Sequence, residues 1–362
     1  NLGGLEPNTK EPFTEMKPEK MHSMEFGLDL TMLDNRLNFD ITYYKTNNKN
    51  QYFSISSPLA SGYDSYYINA GNIQNQGFEA SINYRWDFAE DWSWKPEFNI
   101  SYNQNKIKEL TDQLKNGVSL GSGAGLNFKL VEGGSYGDIY GKVAERDENG
   151  AFMLDKDGKL VISTDERHLG NVNPNWQLGW GNTFTYKDFT LSASLDIRSG
   201  GYMFSRTKNL MQFTGNGVVT TYNDRRPFII PNSVVDNGDG NYTENTTPIY
   251  LGNGSYQTYF NDYGYGDGGE AYLLDRSFVK LRNISLTWNV PRQWVRKMSL
   301  SNLAITAFCN NVFTWTASDN RYVDPESTTV SQSSYGDLAT QFGELYTNPS
   351  CRIFGCNLSV KF

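Results

Sequence analysis

Residues 351–362 read CRIFGCNLSVKF. From Phe354 onward every second residue is apolar (Phe354, Cys356, Leu358, Val360, Phe362), with Gly355, Asn357, Ser359 and Lys361 between them. A two-residue period marks a strand with one apolar and one polar face. The same device recurs upstream. MEFGLDLTM (24–32) sets Met24, Phe26, Leu28, Leu30 and Met32 against Glu25, Gly27, Asp29 and Thr31. RLNFDITYY (36–44) and GFEASINYRWDF (77–88) alternate in the same way. So do segments centred on Ile100, Leu178, Ala193, Leu286 and Ile305. That makes nine strands, and no segment of comparable length carries a helical period. The chain is all-β.

The sequence has 362 residues and a net charge of −8, with no basic stripe for nucleic acid. Mean hydropathy is −0.58, and no run approaches the 18 or so apolar residues of a membrane helix. That criterion is blind to membrane β-barrels, which hide their apolar half in alternation. Aromatics reach 14%, with 34 glycines, as strands and turns require. Cys309, Cys351 and Cys356 have no metal-binding spacing. Cys309 and Cys356 fall on apolar strand faces and read as small hydrophobes, while a disulfide to Cys351 stays open. The chain begins at Asn1 without a signal peptide, so it is either processed or part of something longer.

The links between strands decide the kind of β-protein. Short links at 33–35, 87–91, 187–188 and 291–299 alternate strictly with long ones at 54–71, 106–175, 199–275 and 315–350. An outer-membrane barrel does this, because its periplasmic turns are short and its extracellular loops long. Aromatics gather at strand ends, in the groups Tyr43, Tyr44, Tyr52 and Phe53, then Trp86, Phe88, Trp92 and Trp94, then Tyr186 and Phe189. They read as interface belts. Nine strands cannot close a barrel that has an even strand number. The expectation is the C-terminal part of a larger barrel, with residues 1–22 in an extracellular loop.

Several stretches together resemble the SusC/RagA-type TonB-dependent transporters. They are KPEKMHSMEFGLDLTMLDNRLNFDITYYKT (17–46), NAGNIQNQGFEASINYRW (69–86), YGDIYGKVAERDENG (136–150) and LGNVNPNWQLGWGNTFTYKDFTL (169–191). RRPFIIPNSV (225–234), SFVKLRNISLTWNVP (277–291), NNVFTWT (310–316), VDPES (323–327) and the final Phe362 complete the set. The resemblance implies a 22-stranded barrel in the outer membrane of a Gram-negative bacterium, with the N-terminal plug and early strands absent here. It implies TonB-driven import of an oligosaccharide or peptide, a SusD-like surface lipoprotein as lid, and a second transporter protomer as a further partner. Phe362 resembles the terminal aromatic by which the barrel-assembly machinery recognises its clients. The alternatives are a passive porin and a secreted, soluble glycan-binding β-domain.

Catalytic chemistry is not legible, and no cofactor is expected. His168 has no nucleophile or paired carboxylate around it and reads as a polar loop residue. DENG (147–150) and DKDG (155–158) lack calcium-ligand spacing and read as turns, while DNGDGN (236–241) could hold a cation weakly. GSGAG (121–125) reads as a flexible loop. Polar strand residues such as Glu79, Asn83, Asn99 and Asp196 would line a lumen. Ligand contacts are expected from SYQTYFNDYGYGDGGEAY (255–272), through Tyr256, Tyr259, Asn261, Asp262, Tyr263 and Tyr265, since aromatic faces beside amides suit sugar rings. Packing against loops or a lid is the competing role for that stretch.

Overall fold

The computed structural model describes residues 10–11, 16–56, 59–63, 65–123, 125–238, 241–262, 269–321, 323–327, 343–344 and 347–362. Nine long strands follow one another in an antiparallel meander. They are β1 (Lys20–Met32), β2 (Leu37–Ser56), β3 (Ser65–Tyr84), β4 (Trp92–Leu110), β5 (Trp176–Tyr186), β6 (Phe189–Ser199), β7 (Phe278–Asn289), β8 (Asn302–Thr316) and β9 (Ile353–Lys361). These are the nine that the alternation predicts. Strands β1 and β9 end the path, so the sheet does not close on itself.

The pairing puts like residues on like faces. Between β5 and β6, Trp180 lies opposite Leu195, Phe184 opposite Leu191 and Tyr186 opposite Phe189. On the other face the hydroxyls of Thr183 and Ser192 meet at 3.3 Å. The apolar face has no protein cover: Phe26 is 64% exposed, Leu28 50% and Leu286 47%. Each such side chain forgoes roughly 1.5–3 kcal/mol while it faces water. A continuous apolar face of this kind is stable against lipid and is not what a soluble β-domain carries. Its ends are ringed as expected. Trp92 stacks on Tyr186 at 4.2 Å, Trp94 on Phe184 at 5.5 Å and Phe189 on Trp288 at 6.2 Å. No helix among the described residues is long and apolar enough to cross a membrane.

The structure differs from the sequence reading where strands outrun the bilayer. Strands β2, β3 and β4 have 20, 20 and 19 residues, about twice the 9–11 that span it. The link expected at 54–71 shrinks to 57–64, and the one expected at 106–175 starts with four further ladder residues before Leu110. Lys20, Met21 and His22, expected in a loop spanning 1–22, open β1 instead. Beyond the bilayer the simple alternation lapses. The β2–β3 register shifts twice around Gln51, and Asn50 takes a left-handed φ of 57°. Phe53 is therefore not a belt residue; it packs on a core of Ile68, Ile73, Ile107, Leu110, Leu114 and Leu130 and stacks on Tyr136.

Tyr44 also leaves the belt, for a different reason. It lies on the polar face and reaches across β3, its hydroxyl donating to Asn103 Oδ1 on β4 at 3.1 Å. The path runs over Gly77, where an added Cβ would lie 2.0 Å from the Tyr102 carbonyl oxygen and 2.9 Å from the Tyr44 ring. Only glycine permits that approach.

Two of the long links are folded bodies. The first, after β4, holds a four-stranded sheet in the order Arg167–Asn171, Asp138–Gly141, Leu126–Leu130 and Val118–Gly123. The last of these takes up part of the GSGAG stretch expected to be a flexible loop. The second holds α1 (Arg206–Phe213) and α2 (Ser255–Asp262), and α3 (Arg292–Lys297) fills the short link before β8. DENG and DKDG are turns: Asp147 Oδ1 accepts from Asn149 and Ala151, and Asp155 Oδ1 from Asp157 and Lys159. The buried apolar clusters sit in these bodies, as with Leu126, Phe128, Ile139, Val172, Phe204 and Tyr272, and in the strand extensions that reach them, as with Ile68, Ile73, Ile107 and Leu110. A thin wall bathed in lipid has no core of its own, so the compaction happens outside it.

Candidate functional site

Where the extended strands meet the first folded loop, the polar face encloses a cavity of about 530 Å³. It lies inside the 300–1,000 Å³ range of ligand pockets. Amides dominate its lining. Strands β2 to β4 supply Asn48, Gln51, Asn75, Asn103, Gln104 and Asn105, and the loop supplies Tyr136, Asp138, His168, Asn171, Asn173 and Asn175.

The lining is held in place by its own hydrogen bonds. Asn105 Nδ2 donates to Asn75 Oδ1 at 2.9 Å, and Asn105 Oδ1 accepts from the Tyr136 N–H at 2.7 Å. The Ser135 hydroxyl donates to the Asn105 carbonyl at 2.7 Å. Asp138 is used up on its own loop, accepting from the Ser135 N–H at 2.7 Å and Asn171 Nδ2 at 2.8 Å, with His168 Nε2 at 3.2 Å. Asn173 and Asn171 both donate to the Tyr136 carbonyl at 3.2 Å. One group is left over: Asn48 Oδ1 is shielded from solvent and accepts no hydrogen bond. A buried acceptor of that kind costs about 1–3 kcal/mol unless something fills it.

The chemistry available is binding. Each amide offers two donors and an acceptor without charge, which matches hydroxyl groups or peptide groups. Asp138, already three-fold engaged, is poorly placed as a general base. Among the described residues no three His, Cys, Asp or Glu side chains converge as for a metal.

A second polar centre ties a loop to the wall, and the sequence reading did not anticipate it. Lys280 on β7, 4% exposed, donates to Asp324 at 2.5 Å and Glu326 at 2.6 Å. Arg282 forks onto Glu326 with two bonds of 2.6 Å and also binds Asp196 on β6. Arg198 adds a contact to Glu326 at 3.2 Å. Arg198, Lys280 and Arg282 surround the Phe278 ring at 5.0–5.6 Å. A bulge falls here: Arg282 is the extra residue between Leu281 and Asn283 in the β7 ladder. Lys280 and Arg282 share the polar face by alternation, and the bulge lets Asn283 join them before Ile284 returns to the apolar one. Burial raises the Glu326 carboxyl, but bonds from Arg282 and Lys280 prevail and bring it down to about 2. The signals were the Lys-Leu-Arg and Asp-Pro-Glu triplets, whose partnership depends on the loop's path.

The expected aromatic stretch is placed as follows. Tyr256 is buried, with its hydroxyl on the Thr220 carbonyl at 2.5 Å. Tyr259 packs against Phe228 and Phe260, and burial pushes its hydroxyl pKa up. Asn261 and Asp262 end α2. Tyr263 and Tyr265 lie outside the described residues. Neither described tyrosine borders the amide-lined cavity.

Comparison with known proteins gives one picture. Residues 14–135 match the outer membrane protein beta-barrel family. A TonB-dependent receptor, P3, of Formosa agariphila is 26% identical over 96% of this chain and 34% of its own length. The TonB-dependent receptor SusC of Bacteroides thetaiotaomicron is 23% identical over 77% of this chain and 27% of its own. Among solved structures, that of the RagAB peptide transporter superposes with a TM-score of 0.68 at 17% identity, over 95% of this chain and 35% of that one. The chain spans about a third of the length of the curated relatives it matches.

Proposed function

We infer that this chain is the C-terminal part of the β-barrel of a SusC/RagA-type TonB-dependent transporter in the outer membrane of a Gram-negative bacterium, and that it serves the import of a nutrient oligomer. The oligomer is an oligosaccharide or a peptide. The observation that carries this reading is the amide-lined cavity, open to the polar face and set among the folded loops. Neutral, multidentate hydrogen-bonding walls hold a hydroxylated or peptidic chain without fixing its charge. Asn103, exposed along that lining, would contact the cargo, and α2 would pack against the other loops or a partner.

The long folded loops are the extracellular side in this reading, and a SusD-like surface lipoprotein is the lid. Exposed apolar side chains there, among them Phe213, Val218, Tyr222, Tyr250 and Leu251, exceed what a loop body needs for its own packing and suit a docked protein. Energy would come through TonB and the plug. The ring of Phe362, almost fully exposed, is free to serve as the assembly signal.

Purification of the full-length transporter from detergent-extracted outer membranes tests the reading. Mass spectrometry is expected to find a surface lipoprotein and a retained oligosaccharide or peptide. Replacing Asn103 by Leu should lower retention of that oligomer by roughly fivefold, the worth of one neutral hydrogen bond. A barrel recovered alone, passing uncharged sugars freely into liposomes, would favour a passive porin.

A further inference from the structure

Four short links join strands at the end of the wall opposite the folded loops, and three of them carry their own acidic residues. The first has Asp34 beside Arg36. The second has Arg85 against Asp87, Glu90 and Asp91, with the Arg85–Asp87 pair closed at 3.1 Å. The third has Lys187 and Asp188, and Lys187 lies 3.7 Å from Asp91 across the turn. The fourth, residues 290–301, holds Arg292, Arg296 and Lys297 with no Asp or Glu. All three cations are exposed, and among the described residues none is joined to a carboxylate. In a chain of net charge −8, this link is the exception.

Its structure says which way it faces. The link folds as α3, pinned by Val295, which is buried and accepts from Met298 and Leu300. Trp294, half exposed, meets Trp288 edge-on at 6.1 Å. Trp288 stands on the lipid face of β7, two residues beyond Leu286, and stacks on Phe189. The indole of Trp294 therefore extends the aromatic belt beyond the strand ends. Met298, also half exposed, follows it on the next turn of the helix. An indole and a thioether at the acyl boundary, with long cationic side chains able to snorkel to the phosphates around them, match a lipid surface of negative charge.

We propose that the link 290–301 is a binding site for the headgroups of anionic phospholipids, with Trp294 and Met298 seated at the acyl boundary and Arg292, Arg296 and Lys297 on the phosphates. The site would fix the depth of the short-link end of the barrel and recruit acidic lipid to it. The proposal rests on the outer-membrane reading and adds a ligand to a part of the wall that cargo does not touch.

The experiment is native mass spectrometry of the full-length transporter in detergent micelles doped with phosphatidylglycerol or, separately, phosphatidylcholine. The wild type is expected to retain phosphatidylglycerol in preference to phosphatidylcholine. The variant Arg292→Gln/Arg296→Gln/Lys297→Gln should lose that retention by roughly fivefold per charge removed, with phosphatidylcholine unchanged. Arg292→Lys/Arg296→Lys should keep it, which separates charge from a folding defect. Equal phosphatidylglycerol retention by wild type and the triple Gln variant overturns the proposal. So does equal retention of the two lipids by the wild type. A full-length protein that stays folded in buffer and takes up neither lipid overturns the barrel reading with it.

Discussion

Replacing Lys280 by Met is expected to detach residues 323–327 from the barrel wall. The ammonium group sits between Asp324 and Glu326 at 2.5 and 2.6 Å and is almost wholly buried. Removing one partner of such a cluster leaves buried carboxylates uncompensated, at a cost of about 3–5 kcal/mol. Arg282 and Arg198 recover part of that for Glu326; Asp324 loses its one cation among the described contacts. Limited proteolysis of the full-length transporter reads the result, because cleavage tracks the open population. Nicking of this segment should rise on the order of a hundredfold, with the wall strands unaffected. An unchanged rate would show that other contacts hold the loop.

The same latch has a pH signature. The Glu326 carboxyl stands at about 2 in the folded chain, against a reference value of 4.5. A carboxyl lowered on folding contributes stability above its unfolded value and loses it as the pH falls toward its folded one. Attachment of the segment should therefore be complete at neutral pH and decline from about 4.5 downward. Lys280→Met should flatten that dependence.

The second large effect concerns the wall. Leu195→Arg places a cation on the lipid face in the middle of β6, which costs about 2–4 kcal/mol near the bilayer midplane. Ser194→Arg, one residue away, sends the same side chain to the polar face and should cost little. The yield of folded full-length barrel measures both. A large deficit is expected for Leu195→Arg alone. Equal yields would mean that the two faces see the same solvent.

The nine strands were legible because lipid imposes a strict two-residue code. Leu191, Ala193, Leu195 and Ile197 must be apolar, whereas Ser192, Ser194, Asp196 and Arg198 need only be polar. Once a strand leaves the bilayer the code lapses. Around Asn50 a left-handed residue and two register shifts re-aim the chain, and local sequence does not announce them. Phe53 joins the belt in the sequence reading for that reason, although it enters a loop core, whereas Tyr44 sits in regular register on the polar face and crosses Gly77 to Asn103. The amide-lined cavity was invisible for a different reason. Its walls come from β2, β3, β4 and a loop body some 30 to 120 residues away, and asparagine is an ordinary turn residue. Tyrosines drew attention instead, and Tyr256 proves to be spent on packing and on the Thr220 carbonyl. The cationic link 290–301 was fully visible in sequence, but its meaning depends on Trp294 meeting Trp288.

The central claim is that one face of this sheet meets lipid and the other a polar interior. Spin labels at Ala193→Cys and Ser194→Cys, each in an otherwise cysteine-free full-length transporter reconstituted in liposomes, test it one residue apart. The label at 193 should collide readily with oxygen and rarely with a water-soluble nickel chelate, and the label at 194 should show the reverse. Labels that both collide freely with the nickel chelate would contradict the claim.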